Sequence, residues 1–118
     1  SLVSVDLSNW NTSSLTSAGS MFMSCSSLVS VDLSSFGGSN IENMSQMFYG
    51  CSRLVSLDLS SFDASKLTSA GYMFAYCHSL STIKCKQAFK DWCITKQDSI
   101  ELPTAMREGG SGTWEIVN

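Results

Sequence analysis

The chain has 118 residues, room for one domain, and 43% of them are hydrophobic, enough for a packed interior. Only 14% are charged, with 25 serines filling the gap, and the net charge of −3 speaks against a nucleic-acid surface, which needs a basic face. No apolar run approaches the roughly 20 residues of a membrane span, and no cationic segment followed by an apolar stretch opens the chain as a signal peptide would.

From its first residues the sequence repeats with a period of 26. Leu2, Leu28, Leu54 and Leu80 share one position of the unit; Asp6, Asp32 and Asp58 share another; Trp10, Phe36 and Phe62 a third. Met21, Met47 and Met73, then Phe22, Phe48 and Phe74, then Cys25, Cys51 and Cys77 keep the same spacing. Three full units cover residues 2–79, and a fourth begins at Leu80 and fades. A unit this long buries its apolar face against its neighbours rather than alone, which predicts a solenoid.

Each unit opens on a period of two. Val5 and Leu7 alternate with Ser4, Asp6 and Ser8, a pattern that suits a short strand with one buried face. The second part changes period. Ala18, Met21, Phe22 and Cys25 fall at i, i+3, i+4 and i+7; Met44, Met47, Phe48 and Cys51 do the same, as do Ala70, Met73, Phe74 and Cys77. That stripe predicts a helix of about two turns in every unit. Ser17, Asn43 and Ser69 stand before the stripes, where a side-chain oxygen caps the first amides.

In the tail, Lys84, Cys85 and Ala88 replace the Asp, Leu and aromatic of the unit. Residues 86–96 place Ala88, Phe89, Trp92 and Cys93 on one helical face, with Lys90 and Asp91 opposite. Pro103 ends any helix nearby, and GGSGT at 109–113 reads as the turn of a terminal hairpin. Residues 85–118 are therefore expected to cap the array, with Trp92 and Trp114 as its plugs. Nothing comparable precedes Leu2, so the chain is expected to be a fragment of a longer array whose uncapped first rung self-associates with another copy.

The L-x-x-L-x-L-x-x run resembles the leucine-rich repeat, with Trp10, Phe36 and Phe62 where the usual motif has Asn. More closely, MFYGCSRLVSLDLSSFDASKLTSAGYMF at 47–74 resembles the BspA-like repeat of bacterial surface proteins, although Gly37 and Gly38 replace its Asp-Thr turn. The resemblance covers about two-thirds of the chain. It implies an extracellular location, on the cell surface or cell wall, and adhesion to a host or neighbouring-cell surface or matrix protein. The fold class expected is α/β: a leucine-rich-repeat solenoid of 26-residue strand–turn–short-helix units over residues 1–84, with a capping helix and hairpin over 85–118.

Five cysteines in such a setting invite disulfides. Geometry resists them for Cys25, Cys51 and Cys77. Packed helices sit ~8–10 Å apart, whereas a disulfide needs Cα atoms within ~7 Å. These thiols are expected to be free, buried and inert, and Cys85 likewise; a Cys85–Cys93 bond stays open as an alternative if the segment between is not a continuous helix. Cys77, His78, Cys85 and Cys93 are nominal zinc ligands, but Cys77 and Cys85 belong to the apolar columns and His78 points elsewhere, so no metal or other cofactor is expected. His78 is read as a surface residue rather than the partner of Cys77, whose neighbouring side chain diverges from it. No G-x-S-x-G, P-loop or H-E-x-x-H is present, and no enzyme is expected. Asn11-Thr12-Ser13 and Asn43-Met44-Ser45 match the glycosylation sequon and carry no weight if, as the resemblance implies, the chain is bacterial.

The candidate binding surface is the outward face of the strands, on the concave side: Ser4, Asp6 and Ser8; Ser30, Asp32 and Ser34; Ser56, Asp58 and Ser60. Its aspartates stack at one strand spacing and Lys84 is expected to pair with Asp58. Two readings stand. The carboxylates form an acidic stripe for a basic partner or a weakly held cation, or each accepts hydrogen bonds from nearby serines and turn amides and organises its own unit. A flat ladder offers too few oxygens for calcium. Tyr49, Tyr72 and Tyr76 lie off the buried stripe, either as contact residues or packed between neighbouring helices. The functional expectation is a non-catalytic adhesion module with no nucleic-acid partner and no span in this segment; the alternative is a passive spacer within a longer surface protein.

Overall fold

The structure, a computed structural model, describes residues 4–6, 16–34, 36, 41–62 and 64–117. An aliphatic residue between two polar ones makes the three-residue strands β1 (Ser4–Asp6), β2 (Ser30–Asp32) and β3 (Ser56–Asp58). In β3 the alternation is complete: Leu57 is buried and its two neighbours are exposed. β4 (Thr82–Lys86) runs directly into helix α1 (Gln87–Thr95), and β5 (Thr113–Val117) closes the chain. Short 3₁₀ turns lie at Ala64–Lys66 and Thr104–Met106.

β1 pairs in parallel with β2, Val5 opposite Val31. A second, all-parallel sheet has the order β3-β4-β5, with Leu57 opposite Ile83 and Ile83 opposite Trp114. This overturns the expected leucine-rich-repeat solenoid of strand–turn–helix units. Among the described residues the strands form two separate small sheets, and the one α-helix lies in the tail. The fold is a small mixed α/β one built around a three-stranded parallel sheet.

The missing helices have a local cause. Each stripe folds as two successive four-residue turns: Met21 N–H donates to Ala18 O and Cys25 N–H to Phe22 O, and the same closure recurs at 44–51 and 70–77. The third residue of each turn is left-handed: Ser20 (φ 59°) and Ser24 (62°), Gln46 (58°) and Gly50 (79°), Tyr72 (58°) and Tyr76 (62°). Such a residue cannot continue a right-handed helix. The remaining amides turn outward to the next unit instead. Phe22 N–H donates to Met47 O at 2.9 Å, and Phe48 N–H donates to Met73 O at 3.0 Å. Ser17, Asn43 and Ser69 accordingly form parallel bridges with one another rather than helix caps. The Asn43 side chain still accepts from an amide, that of Ser45, at 2.8 Å.

The core follows the 26-residue spacing. Phe22, Phe48 and Phe74 stack face to face, with centroids 5.7 and 5.9 Å apart. Phe36 and Phe62 form a second, tilted column, 5.6 Å apart. The next member is not Ala88, which is exposed, but Phe89, buried 6.5 Å from Phe62. Starting α1 straight after β4 turns Phe89 and Cys93 inward, so the helix supplies the aromatic that the repeat position lacks.

The tail corrects the expected hairpin. β5 runs parallel to β4, so the chain must cross back between them through α1 and the turn at Thr104–Met106. Residues 102–106 are not a strand: Pro103 opens the 3₁₀ turn, and Leu102 and Met106 on either side of it are buried. Trp92 is half-buried against Phe89, and Trp114 is half-buried with its indole N–H donating to Met106 O at 3.3 Å.

Candidate functional site

The outward face of the strands is built from the Ser-x-Asp unit. Ser30, Asp32 and Ser34 are exposed, as are Ser56 and Asp58, and Ser60 is half-buried. Ser4 is exposed, and Asp6 stands in register with Asp32; Ser8 lies outside the described residues. Asp32, Ser34, Asp58, Ser60 and Ser61, with Val31 and Leu33, line a groove of about 580 Å³. The groove lies between β2 and β3, where the two sheets part.

Each described carboxylate is partly committed to its own turn. Asp32 Oδ1 accepts the Ser34 N–H at 2.9 Å. Asp58 Oδ1 accepts the Ser60 N–H at 3.0 Å and the Ser60 hydroxyl at 2.5 Å. These are Asx turns, and they stop the strand after the aspartate. The expected Lys84–Asp58 ion pair does not form, although the two residues are register partners. Between described residues the ion pair found is Arg107–Asp98, at 2.7 Å. Asp58 Oδ1 is already taken by the Ser60 amide and hydroxyl, and Lys84 itself is half-buried.

All five cysteines are free. Cys51 Sγ donates to Phe22 O at 3.2 Å and Cys77 Sγ to Phe48 O at 3.0 Å, so each thiol ties its unit to the one before. Cys25 is half-buried, not buried as expected. Burial, reinforced by the neighbouring thiol, pushes Cys51 up to about 11 and Cys77 to about 12. Burial also pushes Cys85 up to about 11, against the pull of Lys90, and raises Cys93 well above the ordinary thiol range.

A thiol that ionises near 9 when unfolded but only near 11–12 when folded favours the folded state fully below pH 9. That contribution is lost as pH rises through the folded values. Stability is expected to fall above pH 9 by up to about 1.4 kcal/mol per pH unit for each such thiol. Urea midpoints at pH 8 and pH 10.5 measure it, and Cys77→Ala should flatten the decline. At pH 8 a disulfide reagent should react quickly with Cys25 and reach Cys51, Cys77, Cys85 and Cys93 only on unfolding. A rapid reaction of all five thiols in the folded chain would contradict this burial.

The remaining candidates divide. Tyr49 is half-buried, its ring edge-on to Tyr76 at 5.3 Å, and Tyr76 in turn meets His78 at 6.0 Å. Tyr72 and Tyr76 are 56% and 59% exposed, and the segment 70–77 that carries them is a pair of turns, not a helix. His78 is exposed and belongs to this aromatic cluster, whereas the Cys77 thiol faces Phe48 O, so the two do not converge. Among the described residues no group of three or more His, Cys, Asp or Glu is placed to hold a metal ion, and no helix is long and apolar enough to cross a membrane.

Sequence reasoning did not single out the cleft between α1 and the last loop. Its volume is about 630 Å³ and its walls include Lys90, Asp91, Ile94, Arg107 and Trp114. Arg107 is held there by its ion pair and by donation from Nε to Leu102 O at 2.7 Å. The one available signal was the alternation in Thr-Trp-Glu-Ile-Val, which marks a strand and so a wall.

Residues 1–99 match the family model described as "Mycoplasma protein of unknown function, DUF285". The chain belongs to this family. No curated protein and no solved structure matches it. The DUF285 match takes in the three units, β4 and α1, and ends at Ser99. Ser99 and Ile100 are also the residues whose carbonyls accept the Tyr72 and Phe74 amides, at 2.8 and 2.9 Å. The DUF285 segment thus takes in the partner of Tyr72 and stops one residue short of that of Phe74. The cleft's outer wall and β5 lie beyond it.

Proposed function

We propose that this DUF285 chain is a non-catalytic protein-binding module of the BspA-like surface-repeat kind, acting outside the cell on a host or neighbouring-cell surface or matrix protein. The observation that carries the reading is the groove of about 580 Å³ lined by Asp32, Asp58 and their serines. Each aspartate gives Oδ1 to its turn, Oδ2 has no partner among the described residues, and a chain of net charge −3 suits a basic partner. The exposed Tyr72 and Tyr76 are the second contact surface, since exposed tyrosines add area at low entropic cost.

The double variant Asp32→Asn, Asp58→Asn tests it. Asparagine keeps the Oδ1 acceptor and hence the turns, so the fold should survive while the charge goes. Surface plasmon resonance against a panel of purified matrix proteins should show saturable binding that the variant weakens at least about tenfold, as loss of two charged contacts implies. A second reading, a passive spacer, draws on the same Asx turns, because they give each aspartate a local task. Absence of saturable binding to the whole panel would decide for the spacer.

A further inference from the structure

The second sheet ends at β5, and among the described residues no strand pairs on its far side. Thr113 donates its N–H across the β4 side to Ser81 O at 2.8 Å. Alternation along a parallel strand then turns the N–H and C=O groups of Trp114 and Ile116 to the open edge. The sequence of β5, Thr-Trp-Glu-Ile-Val, carries none of the lysines or prolines that commonly blunt such an edge.

The side chains of β5 are as incomplete as its backbone. Leu57 and Ile83 are buried, yet Trp114, next in their row, is only half covered. Cys85 is buried, but its row partner Ile116 is 37% exposed. Beside Trp114 opens the cleft of about 630 Å³ shared with α1, with space for an added side chain. On the opposite face, Asp58, Lys84 and Glu115 stand side by side and alternate in sign. The next place in that line suits a cation.

We propose that the open edge of β5 is a docking site for an extended protein segment reading apolar–basic–apolar. The segment adds as a fourth strand, covers Trp114 and Ile116, and sets its basic residue beside Glu115. A second copy of this chain is the poorer occupant. Its β1, placed as the repeat places it, would set Asp6 in register with Glu115, two acidic positions paired.

The test is a titration of the ¹⁵N-labelled chain with the blocked peptides STVKVTS and STVEVTS, followed by amide shifts and hydrogen exchange. The lysine peptide should shift and protect the Trp114 and Ile116 amides. The glutamate peptide should bind about three- to tenfold more weakly, the range that one cross-strand charge pair gives when its sign is reversed. Glu115 is exposed, so Glu115→Lys should leave the fold intact and reverse the preference. Equal binding of the two peptides, no binding at millimolar concentration, shifts away from β5, or a dimer that protects these same amides would each overturn the proposal. None of these outcomes depends on the groove between β2 and β3.

Discussion

Replacing Phe48 with alanine is expected to cost the fold about 3–5 kcal/mol, close to the whole stability of a marginal domain. Phe48 is fully buried and is the middle member of its column, with Phe22 at 5.7 Å on one side and Phe74 at 5.9 Å on the other. The loss has two parts. The apolar transfer and cavity terms make up most of it. Two aromatic contacts add about 0.5–1.5 kcal/mol each. The backbone of Phe48 should not compensate, because its N–H and C=O already hold Met73 and Cys77. Phe22→Ala is the comparison. It removes one stack between described residues, from a side chain 4% exposed, and should cost less. Urea denaturation followed by circular dichroism measures both variants. Equal midpoints would mean that the column does not join the units.

The same column explains what the sequence could convey. Leu28, Leu54 and Leu80 recur every 26 residues and all three are buried to within 1%. Burial leaves a periodic trace, because one position of the unit meets the same surroundings each time. The conformation of the second half left no such trace. Apolar residues at i, i+3, i+4 and i+7 mark one face of a helix, but two successive four-residue turns put the same positions inward. What separates the two is the left-handed residue at Ser20, Gln46 and Tyr72. Serine, glutamine and tyrosine give no hint of a positive φ; only Gly50, among the equivalent sites, does. The outward face was more legible. The alternation of Ser30, Val31 and Asp32 leaves the polar residues exposed, as a short strand requires. The turn bonds of Asp32 and Asp58 were open as one of two readings. The edge of β5 was hidden by GGSGT, which looks like a hairpin turn until its packing is known.

Replacing Gly112 with alanine is expected to detach β5 and its cleft while leaving the repeated units folded. A Cβ at Gly112 would stand 2.6 Å from Ala105 O and 2.8 Å from Ser81 O, both main-chain atoms. Neither can yield without moving an element, for Ser81 O holds Thr113 and Ala105 O holds Gly112 itself, at 2.8 and 2.7 Å. The strain falls at the first residue before β5, so the strand must shift away from β4. Overpacking of this kind costs about 1–3 kcal/mol where side chains can adjust, and more where backbone is the obstacle. Gly109→Ala is the control. Its site has open space and a φ of +84°, so the cost is conformational only, about 1 kcal/mol. Hydrogen exchange tells the two apart. In Gly112→Ala the amides of Thr113, Glu115 and Val117, which face β4, should lose protection, and the Phe48 amide should keep it. Uniform loss across the chain would show that β5 is integral to the core, whereas full protection of β5 would show that the close approach of Gly112 to Ser81 does not hold the strand in place.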